Sequence, residues 1–527
     1  MAFVEALQQR VWEWLASAKA QRAARVLIAA LALLFLGLFL YAAVKRMQYP
    51  FEVEWIESGI LVSVLRIAHG QGLYVAPTLN FVPFLYTPLY LYAAAAVTKV
   101  VGVGGHSYLA MRLVSTLATV GSCATIYALV RTETQRSTAA IAAAGLYLGC
   151  YSVVGGFYDI GRVDSLFVFL LLLALLAQRR GHPVLAALVW VLVFQTKQTV
   201  LPLAVVILAA EWQRPRRLLA ALATFAAVAL VSVLLLNHAT NGWYNFYIFH
   251  IARGLPIVGR QAVLFLPVSV IEPMTAAWVV IAAAAVTTRA RLRGDPNSAA
   301  MFYLFVSVAL YGGVWFVEAH RGASVNSAMP VYAWTAVLFG VAMARLLQAA
   351  EQAAQPRLAL AVLLAASVQL LALVYNPGRY VPPPDAVTKT QRFIEQLRAL
   401  PGDVYVLNHS YDLVLAGKQP HAEGEALGAV LDAKLGMTSS NLRAELDAAM
   451  AAHRYTAVVV DDLTTTETSW HFEQQYPLEI STGLSSFRYL TSQPQWFLLP
   501  CDATPAVMHT LLRSDAMVAP VACGAMK

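Results

Sequence analysis

The stretch "FEVEWIESG", residues 51–59, sets Glu52, Glu54 and Glu57 within six positions, directly after an apolar run and in a chain only 13% charged. Further on, "YDIGRVDSLF" supplies Asp159, Arg162 and Asp164, and "FQTKQT" supplies Lys197. Arg253 and Arg260 follow, then "EAHRGASVNSAMP" with Glu318, His320, Arg321 and Asn326. A positioned carboxylate can take the proton of an attacking hydroxyl, and fixed Lys or Arg side chains can hold a phosphate or stabilise charge building on a leaving group. Zinc chemistry fits poorly, because His and Cys do not cluster at ligand spacing.

The elements that must position these residues follow from composition. With 59% hydrophobic residues, the chain is a polytopic α-helical membrane protein. Its formal charge of +8 comes from Lys and Arg scattered in twos and threes between apolar runs, without the basic tract or aromatic-basic module of a nucleic-acid binder. Those clusters mark cytosolic loops instead. They recur at Arg10 to Arg25, at Arg131 and Arg136, at Arg179 and Arg180, at Arg214 to Arg217, at Arg289 to Arg293, and at Arg345 and Arg357. Keeping all of them inside requires an even number of crossings between neighbours. Residues 84–102 are then a helix at the outer interface rather than a span, and about eleven transmembrane helices remain, with the N-terminus cytosolic and the C-terminus outside.

Three units are expected. Residues 1–25 form a cytosolic amphipathic lead-in without a cleavable signal. Residues 26–375 form the membrane domain, with a first external loop and juxtamembrane helices over 47–106. Residues 376–527 form a small extracytoplasmic α/β domain. In the last, "DVYVLN" and "YTAVVVDD" read as buried strands, while "AVTKTQRFIEQLRAL" and "SSNLRAELDAAMAAHR" read as amphipathic helices. Asp461 and Asp462 read more readily as a loop cap than as a site, and Cys501 and Cys523 as either a disulfide or two separate thiols.

The hairpin from His182 to Trp212 crosses twice in 31 residues. Each leg is therefore roughly 22 Å long at 1.5 Å per residue, against a hydrocarbon core of about 30 Å. Lys197 at its tip is sunk below the surface, and the equally short leg after Ser165 sinks Arg162 and Asp164. Ionisable groups at such depth face a watery cavity or a partner. For any single residue of this set a structural ion pair is an equally good reading. The gathering of the whole set on the outer side is what that reading leaves unexplained.

In this order, "YPFEVEWIESGILVSVLRIAHGQGLYV", "YTPLYLY", "MRLVS", "GRVDSL" and "TKQT" resemble the polyprenyl-phosphate-sugar glycosyltransferases of the C-type (GT-C) fold. Within them, the resemblance is to the family 39-like kin of bacterial protein O-mannosyltransferases and aminoarabinose transferases. It covers roughly residues 26–375. It implies a first external loop with two juxtamembrane helices, a catalytic acid in that loop and a second acid in the next. Members often carry adjacent Asp-Glu at the first position, whereas this chain has Glu54 and Glu57, so both are kept as the catalytic base, with Asp164 orienting the acceptor or the base. Donor phosphate would be held by Lys197, Arg321, His320 and Arg260, with Arg253 as a further cation. Asp159, Arg162, Asn326 and Tyr86 would line the substrate site. The resemblance also implies one in-line displacement with inversion, from a polyprenyl-phosphate sugar to a glycan, lipid or protein hydroxyl, at a bacterial inner membrane. No cofactor is required and no metal ligand is assigned, although a divalent cation is compatible with so many acids. The rival reading is a carrier or flippase of a lipid-linked sugar, since intramembrane charges also mark transport paths; no internal repeat supports it.

Overall fold

The computed structural model describes residues 17–102, 107–251, 258–292, 299–319, 324–433, 435–462, 472–484, 493–512 and 518–519. Among these, seven stretches are long and apolar enough to cross a membrane: Ala18–Met47, Leu109–Thr134, Pro215–Ala239, Gly259–Thr287, Met301–Glu318, Val325–Gln352 and Pro356–Arg379. The remaining legs of the expected eleven are shorter: Ser137–Gly149, Asp164–Arg179, Pro183–Phe194 and Gln198–Glu211. A helix of 12 or 13 residues reaches roughly 18–20 Å, well short of the apolar thickness of a bilayer. Residues 84–102 contain a helix of the same kind, Leu89–Val101.

Local sequence sets the ends of these elements. Pro183, Pro215 and Pro356 open their helices at the first position, where a missing N–H costs nothing. Asp164 lies in the first turn of its helix and Arg179 in the last, each placed favourably with respect to the helix dipole. Lys197 is extended, at φ −153° and ψ 115°, and so separates helix Pro183–Phe194 from the turn that begins at Gln198. This break puts Lys197 at the tip of the tight hairpin. At the opposite end of the short helices, Arg136 pairs with Glu351 and Arg179 with Glu133.

The helices share one apolar core, in which Trp190, Trp334 and Tyr147 are fully buried. A second core belongs to the loop after the first helix. There Ile60, Val64 and Leu79 pack with Tyr405, Leu407 and Val458 of the C-terminal α/β part. That part is built on a five-stranded sheet ordered β1-β2-β4-β3-β5: β1 is Val404–Val406, β2 is Ala457–Val460, β3 is Leu478–Ser481, β4 is Trp496–Leu499 and β5 is Val518–Ala519. β1 and β2 run parallel, with Val404 opposite Ala457, and the other pairs are antiparallel. Helices Ala386–Ala399 and Gly436–Ala451 stand where the amphipathic periodicity puts them. Cys501 is disulfide-bonded.

Helix Ile56–Ala68 carries the contact between the two parts at Gly59. A Cβ there would stand 2.3 Å from Glu423 Cγ and 2.4 Å from Phe84 Cε2. Gly59→Ala is therefore expected to separate the C-terminal part from the loop, costing about 1–3 kcal/mol by overpacking. Accelerated proteolysis of the C-terminal part would report it, and unchanged protease resistance together with an unchanged melting temperature would refute it.

Candidate active site

The loop after the first helix is held from below by Arg112, three residues into helix Leu109–Thr134. All five of its N–H groups are engaged. Nη1 donates to the carbonyls of Arg46 (2.6 Å) and Tyr49 (2.8 Å), and Nη2 to the carbonyl of Phe51 (2.6 Å). Nε and Nη2 grip Glu57 in two-point fashion, at 3.0 Å to Oε1 and 2.7 Å to Oε2. Glu57 also accepts from the backbone N–H of Val53 (2.7 Å) and of Gly161 (2.6 Å). Burial opposes its ionisation, yet Arg112 and these backbone donors hold its carboxyl below the usual range. Each oxygen of Glu57 has two donors, so it is committed to holding the loop.

Glu54 is differently placed. It is 1% exposed, and its Oε1 accepts from Arg162 Nη1 at 2.8 Å while Oε2 has only the Ile56 N–H at 3.2 Å. Burial pushes its carboxyl up to about 7, with Arg162 pulling the other way. Arg162 is the hub of the cluster: Nη2 donates to the Tyr86 hydroxyl at 3.2 Å, and Nε stands 3.4 Å from Asp164 Oδ2. Lys197 Nζ completes the chain, donating to Asp164 Oδ1 at 2.9 Å. Asn326 and Glu318 adjoin Asp164 and Lys197 respectively.

Backbone contacts fix this geometry. Leu89 N–H donates to the Gln195 carbonyl, Thr87 Oγ1 to that of Phe194, and Gln198 Nε2 to that of Leu85, so the loop bearing Tyr86 is stapled to the break bearing Lys197. Lys197 opens onto a cleft lined by Phe167, Thr199, Gly313, Ser327 and Pro330. A buried carboxylate, a charged hub and a cation at a cleft therefore come from three separate segments.

Other residues singled out in the sequence lie apart. Asp159 is fully buried against the first helix, accepting from Arg46 Nη1 (2.6 Å) and from the Tyr151 hydroxyl (3.0 Å). Arg260 is exposed on the short helix Gly259–Leu264, with no ion pair to the cluster among the described residues. Arg253, His320 and Arg321 lie outside the described residues. Arg46, Arg112 and His409 went unassigned in the sequence; for the first two, an arginine inside or beside an apolar span was a usable signal. His409 had none, because its partners are Glu52 and Asp461, 357 and 52 residues away.

The fold is that of a multi-pass membrane protein of the GT-C type. The profile of Glycosyltransferase family 87 matches residues 84–317, which include Tyr86, Arg162, Asp164 and Lys197, so the family 39 kinship is only loose. Among solved structures, the fold is similar to that of ArnT from Cupriavidus metallidurans bound to undecaprenyl phosphate: 15% identity, 90% of this chain and 98% of that chain covered, TM-score 0.57. Its apo state gives 14% identity, 89% and 97% coverage and a TM-score of 0.54. The archaeal oligosaccharyltransferase AglB from Archaeoglobus fulgidus, in complex with an inhibitory peptide and a dolichol-phosphate, gives 12%, 92%, 75% and 0.50. No curated protein sequence matches the chain.

Proposed function

We propose that this protein transfers a monosaccharide from a polyprenyl-phosphate donor to an acceptor hydroxyl of a glycan, lipid or protein, on the extracytoplasmic face of a bacterial inner membrane. The observation that carries this reading is the continuous chain Glu54–Arg162–Asp164–Lys197, which runs from a buried carboxylate with one weakly engaged oxygen to a cation at a cleft. The polyprenyl phosphates named for ArnT and AglB support the donor class. The basic clusters support the orientation, with the cluster outside and the C-terminal α/β part covering it.

In this reading the acceptor oxygen attacks the anomeric carbon as Glu54 takes its proton, and the bond to the phosphate oxygen breaks on the opposite side. The sugar inverts in one displacement and polyprenyl phosphate leaves with an added negative charge. Lys197, together with His320 and Arg321, stabilises that charge, most strongly in a water-poor cleft. Asp164 aims Lys197, and Arg162 with Tyr86 holds Glu54 in register. Glu57 supports the loop and takes no part in proton transfer.

The test is consumption of radiolabelled polyprenyl-phosphate monosaccharides by purified protein in liposomes, with membrane extract supplying acceptor. Label should move from the lipid to a new product. Label that crosses the bilayer while still attached to its lipid would replace this reading with that of a carrier. Lys197→Met should lower kcat/KM for the donor by about 10²-fold, the usual cost of removing one charge-stabilising group, and Lys197→Arg should recover part of it. Equal kinetics in Lys197→Met and wild type would remove Lys197 from donor binding.

A further inference from the structure

A second cluster of ionisable groups lies where the first loop meets the C-terminal α/β part. His409 follows β1 by three residues and Asp461 follows β2 by one, so both stand at the carboxyl ends of neighbouring parallel strands, an edge where ligands often bind. The loop contributes Glu52. His409 is fully buried, its Nδ1 against Glu52 Oε1 and its Nε2 2.8 Å from Asp461 Oδ1. Asp412 completes the group from helix Ser410–Leu415.

Two features separate this cluster from an ordinary buried ion pair. Asp412 is 3% exposed, yet its carboxylate has no hydrogen bond or ion pair among the described residues. Glu52 Oε2 is buried and likewise without a partner. Neither acid meets a Lys or Arg among the described residues, so one imidazole faces three carboxylates. Burying an uncompensated carboxylate costs several kcal/mol, and bound cations are one of the few ways proteins remove that cost. One donor atom each from Glu52, His409 and Asp412 lies within 4.8 Å of the other two. Ligands about 2.0–2.2 Å from a shared zinc stand roughly 3.3–4.4 Å apart, so the Glu52 oxygen and the His409 nitrogen, in direct contact here, would part by roughly an ångström to admit the ion.

We propose that Glu52, His409 and Asp412 form a divalent-cation site that clamps the C-terminal α/β part onto the loop carrying Glu54, with Asp461 accepting from the far ring nitrogen of His409 and so orienting the imidazole. One imidazole with carboxylate oxygens suits Zn²⁺ or Mn²⁺ better than a thiol-seeking ion. Its role is structural. Glu52 sits two residues before Glu54 but meets His409, whereas Glu54 meets Arg162, so the ion joins two elements and takes no part in proton or sugar transfer. The adjoining contacts reinforce the same junction: Ser410 donates through both N–H and Oγ to Glu423 Oε1, and Tyr411 N–H donates to Ser58 Oγ.

Full-length protein in lipid nanodiscs, stripped with a chelator and desalted, is offered Zn²⁺ or Mn²⁺ separately, and bound metal per chain and thermal unfolding are measured. Wild type should take up one ion per chain and melt at a higher temperature with it. Asp412→Asn, which keeps side-chain volume and breaks no hydrogen bond seen here, should bind at least tenfold more weakly and lose the metal-dependent rise; Glu52→Gln should do the same. A wild type that retains neither ion, or that binds it as tightly as Asp412→Asn does, would overturn the proposal and leave the cluster as carboxyls neutralised by protons. Donor turnover enters none of these readings, so their failure leaves the glycosyl-transfer account untouched.

Discussion

Glu54→Gln is expected to lower kcat by about 10²–10⁴-fold, the usual contribution of a general base, while the purified protein keeps its melting temperature within a few degrees. The amide retains the volume and can still accept from Arg162 through its oxygen, replacing the 2.8 Å contact, but it can no longer take a proton. Donor binding, read by competition with polyprenyl phosphate, should persist because Lys197 and Asp164 are unaltered. A Glu54→Gln variant with full turnover would transfer the role of base elsewhere, and Asp164 would be the next carboxylate to test.

Glu57 carries the second large effect, of the opposite kind. Its two oxygens take two N–H donors from Arg112 and one each from Val53 and Gly161, all inside a site with no exposed surface. Glu57→Gln turns an accepting oxygen into an NH₂ facing donors, and leaves the Arg112 charge buried and unpaired. Loss of one partner of a buried pair typically costs about 3–5 kcal/mol. Arg112→Met should be as damaging, because the carbonyls of Arg46, Tyr49 and Phe51 lose their donors along with Glu57. Both variants should melt well below wild type and lose activity in proportion to unfolded protein. Combining them should cost less than the sum, since the two changes remove the same interaction. A Glu57→Gln protein that is stable yet inactive would contradict this division of labour.

The difference between these two glutamates marks the boundary of what the sequence makes legible. Both precede or enter an amphipathic helix, three residues apart, and no local pattern separates the weakly engaged carboxylate from the tether. What decides is Arg112, 55 residues from Glu57, together with a glycine N–H 104 residues away. The grouping of Arg162, Asp164 and Lys197 was readable, because the legs that carry them are shorter than the apolar thickness of a bilayer, which sets their outer ends at a common depth. Asp159 has the same sequence signature as Asp164 but meets Arg46, 113 residues earlier. The strands "DVYVLN" and "YTAVVVDD" declared themselves as continuous apolar runs. Asp461, by contrast, became more than a loop cap only when the sheet set it beside His409. Apolar periodicity and length are local quantities, whereas the pairing of buried charges is set by tertiary approach.

The same reasoning applies to the span count. Alternating basic clusters give the parity of crossings but not the length of each leg, so among the described residues about eleven crossings become seven full-length helices and a set of short ones.

The most direct test of the central claim is the anomeric configuration of the first-formed product, read by NMR from the lipid-linked donor that the purified protein consumes fastest. One displacement with Glu54 as base predicts a glycoside inverted relative to the donor. Retention of configuration would require a covalent or otherwise two-step path and would contradict the account.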